Sequence, residues 1–247
     1  MKNKTIENPT VVSPDKWLAA RRELLREEKK FTKLRDQLTA RRREMPWVKV
    51  DKAYTFESPG GQVSLADLFE GRSQLVVYHF MFGPGWEEGC KSCSYGCDHL
   101  APTVVHLQAR DVAFAAISHA PLAEFTPFKE RMGWPFNWVS SHGSDFNHDY
   151  HVSFTAEELA KGYVYYNYSM MEFPMEEAPG LSVFAKDGNG DVYHTYSTYG
   201  RGLEMLMGTY ALLDLVPKGR DEDPEATMSW VRYHDSYAQP ADAVATH

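Results

Sequence analysis

Apolar residues recur along this chain with two different periods, and the switches between them lay out its elements. Trp17, Leu24, Phe31 and Leu38 return every seven positions, with Leu18, Leu25 and Leu34 widening the same stripe and charged residues filling the rest. Ser13-Pro14-Asp15 ahead of the stripe supplies an N-cap, a proline for the first helical position and an acid for the first turn, and Met45-Pro46 stops it. The pattern predicts a helix of about thirty residues, roughly 45 Å long at 1.5 Å per residue. A stripe of that length exceeds one face of a small domain. It is expected either to break and wrap its own domain or to pair with a second subunit.

Beyond position 46 the period shortens. Val48-Lys49-Val50 and Tyr54-Thr55-Phe56 alternate as strands do, positions 58–61 read as a turn, and positions 64–69 as a short helix ended by Gly71. Positions 75–82 form a continuous apolar run rich in β-branched and aromatic residues, the mark of a buried strand. After a Gly/Pro loop, Leu100, Val104, Val105 and Leu107 return to helical spacing. A buried strand at 112–118, a helix at 121–132 closed by Gly133, and a strand at 136–140 follow. Strands and helices alternating at these lengths imply an α/β fold, with a parallel or mixed sheet and right-handed crossovers.

Positions 141–168 show no strong period and read as a loop-rich excursion carrying a short helix. Two strands flanking Lys186-Asp187-Gly188-Asn189-Gly190 read as a β-hairpin, and a last helix is expected from about Gly202 to Pro217. The resulting division is an N-terminal helical extension at 1–45, an α/β domain at 46–219 and a C-terminal tail at 220–247. Trp230, Tyr233 and Tyr237 anchor that tail before a disordered end.

Charge narrows the choice of partners. The net charge of -8 argues against nucleic acid, which calls for a basic surface. Yet positions 16–44 carry eleven Lys/Arg against five Asp/Glu, so the first helix is basic and the remainder acidic. No apolar run approaches a membrane span, and the first ten positions lack the core of a signal peptide, so a soluble, cytoplasmic protein is expected.

All three cysteines fall within eight positions, in Gly89-Cys90-Lys91-Ser92-Cys93-Ser94-Tyr95-Gly96-Cys97. Such a cluster suits redox or metal chemistry in a reducing compartment better than a secreted disulfide framework. A Cys-x-x-Cys pair between a strand and a helix stands at a helix N-terminus, where free N–H groups stabilise a thiolate. Cys90 is then the attacking thiol and Cys93 the resolving one. Lys91 favours the Cys90 thiolate by its charge, whereas Glu87 and Glu88 oppose it. In a second reading, Cys90, Cys93, Cys97 and His99 form a soft ligand set for copper or zinc. The first reading needs no cofactor. His142, His148 and His151 are expected in surface or hydrogen-bonding roles. The tyrosines of 163–168 and 193–199 are ordinary strand and core aromatics, or the lining of a pocket in a non-catalytic binding protein.

The order of elements resembles the thioredoxin fold. Gly89-Cys90-Lys91-Ser92-Cys93-Ser94, Arg131-Met132-Gly133-Trp134, Gly180-Leu181-Ser182-Val183-Phe184, Tyr193-His194-Thr195-Tyr196-Ser197, Arg201-Gly202 and Pro217-Lys218-Gly219-Arg220 resemble an uncharacterised bacterial thioredoxin-like family related in layout to the peroxiredoxins. That resemblance implies a cis-proline at Pro179 against the cysteine pair and a cation, Arg201, near the active face. It also implies a thiol or disulfide substrate, protein or small molecule. The Pro and Thr that precede a peroxidatic cysteine are missing: Glu87 stands three before Cys90, and Cys90 itself three before Cys93.

If the apolar stripe of the first helix joins two copies, Leu24→Asp combined with Phe31→Asp will yield a monomer in light scattering; an unchanged mass sinks the dimer.

Overall fold

A computed structural model describes residue 6 and residues 9–237. The first helix, α1 (Pro14–Arg43), starts where the Ser13 hydroxyl accepts the Lys16 amide at 3.5 Å, and it runs unbroken with none of its residues buried. The alternative that it breaks and wraps its own domain is thereby corrected. No glycine or proline interrupts it after Pro14, and ion pairs along its surface, Arg21 to Glu28 and Lys30 to Glu27, each at 2.8 Å, favour the straight course. Trp17 and Phe31 stay 60% and 66% exposed, so the stripe is not covered by its own chain.

The domain that follows contains β1 (Val48–Lys49), β2 (Thr55–Ser58), β3 (Gly61–Ser64), β4 (Gln74–His79), α2 (Lys91–Leu100), α3 (Val104–Gln108), β5 (Val112–Ser118), α4 (Leu122–Met132) and β6 (Asn137–Ser140). It continues with α5 (Phe146–Asp149), α6 (Ala156–Ala160), β7 (Val164–Tyr166), β8 (Ser169–Met171), β9 (Gly180–Lys186), β10 (Val192–Tyr199) and α7 (Gly208–Leu213). Eight strands form one mixed sheet in the order β1-β10-β9-β4-β5-β6-β2-β3, and β7 pairs with β8 apart from it. β4, β5 and β6 are parallel, while β9 lies antiparallel beside β4 with His79 opposite Gly180. Two parallel strands joined over a helix, with an antiparallel hairpin added beside the first of them, is the thioredoxin-like arrangement.

The two-residue period of β4 sorts the core into two layers. Tyr78, and Phe80 beyond the strand's end, pack with Cys93, Cys97, Phe125, Phe128 and Trp138 beneath α2 and α4. Leu75 and Val77 pack on the other side with Phe56, Leu68, Phe146, Tyr150 and Val152. Helices α2 and α4 share a side because both crossovers step in the same direction along the sheet.

Three local expectations change. The turn at 58–61 opens a hairpin, with β3 antiparallel to β2, which leaves only a three-residue 3-10 turn, Asp67–Phe69, of the helix expected at 64–69. The excursion ends in a strand, β7, that pairs with β8 just beyond it, the hairpin being turned by Asn167 and Tyr168 at φ 49° and 65°. A tyrosine in that left-handed position hid the turn, since glycine is its usual sign. The last helix is a 3-10 segment, Gly200–Leu206, followed by the short α7, because Met207 at φ -100°, ψ 84° breaks the helical course between them. The disordered end expected for the tail lies outside the described residues.

A buried polar chain crosses β4, β9 and β10. His79 Nε2 lies 2.8 Å from Ser182 Oγ, which lies 2.7 Å from Ser197 Oγ, itself 2.7 Å from His194 Nε2. His79 Nδ1 has no partner among the described residues, and burial pushes the pKa of this imidazole down to about 3. Between that value and the ordinary 6.5 the unfolded chain binds a proton that the folded chain refuses, so stability falls as pH drops through this window, by about 1.4 kcal/mol per pH unit from this group. His194, lowered by burial as well, acts with the same sign. In urea titrations between pH 5 and 6.5, His79→Gln will flatten this dependence; a slope equal to wild type disproves the assignment.

Candidate active site

The cysteine loop is built by pinning. After β4, the Cys90 amide donates back to the Met81 carbonyl at 3.1 Å, and the Phe80 amide donates to Ile117 at 2.9 Å, so the loop between them leaves and returns at the end of the central strand. Gly85 N–H binds Glu124 at 2.7 Å, Trp86 Nε1–H binds Glu176 at 2.9 Å, Glu88 pairs with Arg131, and the Tyr233 hydroxyl donates to the Gly89 carbonyl at 2.7 Å. Gly89 must lack a side chain, because a β-carbon there would stand 2.5 Å from the Phe80 ring and 2.9 Å from Phe128. Both rings are held in a cluster of tilted and edge-on aromatic contacts with Trp134 and Trp138.

Cys90 is the N-cap residue of α2 and half-buried; Cys93 and Cys97 lie inside the helix and are buried. Donor groups facing the Cys90 sulfur, first the Cys93 thiol and then the Cys93 and Ser92 amides and the Ser92 hydroxyl, favour its thiolate over the opposing effect of burial and pull its pKa down to about 7. Burial holds the Cys93 thiol well above its usual range, although the Met81 amide and the Tyr78 hydroxyl aim at its sulfur. One turn of helix therefore carries a nucleophilic sulfur and a protonated partner with two donors waiting for its own thiolate. Lys91, expected to favour the thiolate by its charge, instead lies over the Tyr233 ring at 5.8 Å.

Cys90 and Cys93 open into a cavity of about 830 Å³ together with Pro179 and Arg201, so the four residues read from the sequence do come together. Arg201 is 87% exposed and pairs with Glu204 at 3.0 Å. The cis expectation for Pro179 is corrected: no described peptide bond is cis. The Ala178 amide already bonds Val152 at 2.8 Å, and Ser153 bridges to Glu177, so an extended chain enters β9 with a trans bond. The Pro179 carbonyl accepts the Tyr166 hydroxyl at 2.6 Å. Sequence reasoning missed Tyr78, Met81 and Met207, and read Tyr233 as an anchor of the tail without its partner Gly89. The two-residue alternation of β4 could have found Tyr78, but a contact between positions as distant as Gly89 and Tyr233 left no local signal.

The copper or zinc set is corrected in its geometry. His99 is tied through Nδ1 to the Tyr95 carbonyl at 2.6 Å and through Nε2 to Thr209 at 2.7 Å, while Cys97 is buried in the apolar layer. Among the described residues no three His, Cys, Asp or Glu side chains are grouped to hold a metal ion. His148 bonds the Ser153 carbonyl at 2.9 Å and meets His119 edge-on; His119 in turn bonds the buried Glu177 at 2.9 Å. Tyr165, Tyr168 and Tyr199 line a separate cavity of about 370 Å³ with Tyr54, Tyr150 and His194.

The model of a family of bacterial proteins of unknown function, DUF899, matches residues 6–237. The chain belongs to this family. No curated protein matches the chain. Among solved structures, this DUF899 member is similar to peroxidoxin BcpB from Mycobacterium tuberculosis at 12% identity and TM-score 0.40, covering 67% of this chain and 95% of that one. It is similar to peroxiredoxin Q from Xanthomonas campestris at 9% identity and TM-score 0.41, covering 66% and 96%. A thiol:disulfide interchange protein from Bacteroides sp. is similar at 16% identity and TM-score 0.40, covering 71% and 95%. Likenesses this remote assign no residue a role. No described helix is long and apolar enough to cross a membrane.

Iodoacetamide labelling followed by peptide mapping will modify Cys90 first, with a rate that rises through a midpoint near pH 7, where an ordinary thiol is only about 3% thiolate. Equal, slow labelling of all three cysteines contradicts the geometry. Gly89→Ala will shift that midpoint upward by displacing the Cys90 sulfur from the helix N–H groups.

Proposed function

We propose that this DUF899 protein is a cytoplasmic thiol-disulfide oxidoreductase whose Cys90 attacks and whose Cys93 resolves. The observation that carries this reading is the split between two thiols one helical turn apart: Cys90 lowered by donors at the start of α2, Cys93 raised by burial and donating to it. A low thiol pKa raises the attacking thiolate fraction at neutral pH, and the protonated partner waits until a mixed disulfide forms. Pro179 bounds the site, and Arg201 stands at its mouth, paired with Glu204. Three clustered, unpaired cysteines suit a reducing compartment. The exposed stripe of α1 supports a homodimer, because an isolated helix gains most of its stability from packing an apolar face.

Thiols counted before and after reduction, together with elemental analysis of protein purified without chelator, test the reading. Two additional thiols will appear on reduction, without stoichiometric metal. Cys93→Ser will accumulate a mixed disulfide at Cys90, and Cys90→Ser will exchange no faster than a protein-free blank. Near-stoichiometric copper or zinc, lost in Cys→Ser variants, overturns the oxidoreductase in favour of a metal site.

A further inference from the structure

The cavity beside the cysteine pair has a lining that selects among substrates. Its floor is apolar, formed by the buried Met81, Leu203 and Met207. Methionine side chains adapt to irregular apolar shapes. The charges at its rim are already satisfied. Arg201 holds Glu204 at 3.0 Å, and Arg220 holds Asp214 at 2.8 Å and Glu204 at 3.2 Å. Glu222 accepts the Tyr210 hydroxyl at 2.6 Å and the Trp230 indole N–H, and Asp221 is engaged as well. An ionic ligand would have to compete with these pairs.

One wall is the segment after α7. Pro224, Thr227 and Met228 line the cavity, and Tyr233 ties the same segment to the cysteine loop through Gly89. Arg131 fastens its far end by pairing with Asp235 at 2.7 Å. The cysteines therefore sit in a recess, not on a flat face where an extended protein chain lies down.

The leaving group supplies the second argument. A peroxide must release an oxygen anion, a far more basic leaving group than a thiolate, whose conjugate acid has a pKa near 8.5. The two cations lining the cavity, Arg201 and Arg220, are committed to carboxylates. Nothing about them favours the harder departure.

The geometry points to an uncharged, low-molecular-weight organic disulfide with apolar substituents as the substrate of this cavity, an inference that rests on the oxidoreductase reading above. The Cys90 thiolate attacks one sulfur of R–S–S–R, forming Cys90–S–S–R and releasing RS⁻. That thiolate takes the Cys93 proton and departs as RSH. Cys93 then attacks the Cys90 sulfur and expels the second RS⁻. Two electrons pass from the dithiol to the substrate, and an external dithiol reductant returns the pair to its starting state.

A homologous series from dimethyl to dibutyl disulfide tests this, with kcat/KM normalised to the rate of free dithiothreitol on each compound. The normalised value will rise about fourfold per methylene buried. Oxidised glutathione and insulin will show no such gain. Thr227→Trp, an exposed position on the wall, and Met228→Glu will each flatten the series, whereas Met170→Glu, exposed on β8 and outside the cavity lining, will leave both the series and the iodoacetamide labelling of Cys90 unchanged. A flat series in the wild type, or a preference for glutathione or insulin, overturns the inference. Calorimetry with dibutyl sulfide, which binds without reacting, separates the two readings: binding without turnover of any disulfide sinks the oxidoreductase and leaves an apolar site, whereas no binding sinks the apolar site itself.

Discussion

A single backbone hydrogen bond, from the Cys90 amide to the Met81 carbonyl, folds the loop after the central strand back onto the strand's end. It delivers the sulfur to the first turn of α2, where peptide N–H groups are still without helical partners. β4 is placed to bear this because β5 and β9 pair with it on both sides over its full length. The loop's other fastenings come from α4, the segment between β8 and β9 and the segment after α7, so four parts of the chain converge on the position of one atom.

How much of this was legible in the sequence depended on the range of the determining contact. β4 and β5 are continuous apolar runs, α4 is closed by Gly133 at φ 67°, and α1 carries its own cap, so each wrote its presence into neighbouring residues. The Cys-x-x-Cys spacing located the helix start for the same reason. What stayed hidden rests on distant partners or on unusual backbone. Tyr168 turns β7 into β8 from a left-handed position that its side chain does not advertise. Lys91 looked like the neighbour of a thiolate, yet an aromatic ring from the far end of the chain holds its ammonium. Pro179 was read by family habit as cis, whereas the extended segment before it already delivers the chain to β9 in trans.

The two faces of the sheet divide the chemistry. On the α2 side, burial keeps Cys97 and Cys93 protonated among aromatic rings, and only at Cys90 do the surrounding donors outweigh it. On the other side, burial keeps His79 neutral within a chain of hydroxyls. Low dielectric suppresses ionisation in both layers, and the difference is the Cys93 thiol, together with the N–H groups at a helix start, facing one sulfur. The same desolvation that silences two sulfurs makes the third selective.

The wall of the cysteine cavity has a further meaning in time. Tyr233 follows its partner Gly89 by 144 positions, so during synthesis the central strands and α2 leave the ribosome well before the segment that closes over them. Domains fold as units while chains emerge from the amino end. Until that segment arrives, the apolar floor and the Cys90 sulfur face bulk water and whatever oxidants or chaperones it contains. The reactive recess is thus completed last, and a chain that stalls late in translation presents a thiol without its enclosure.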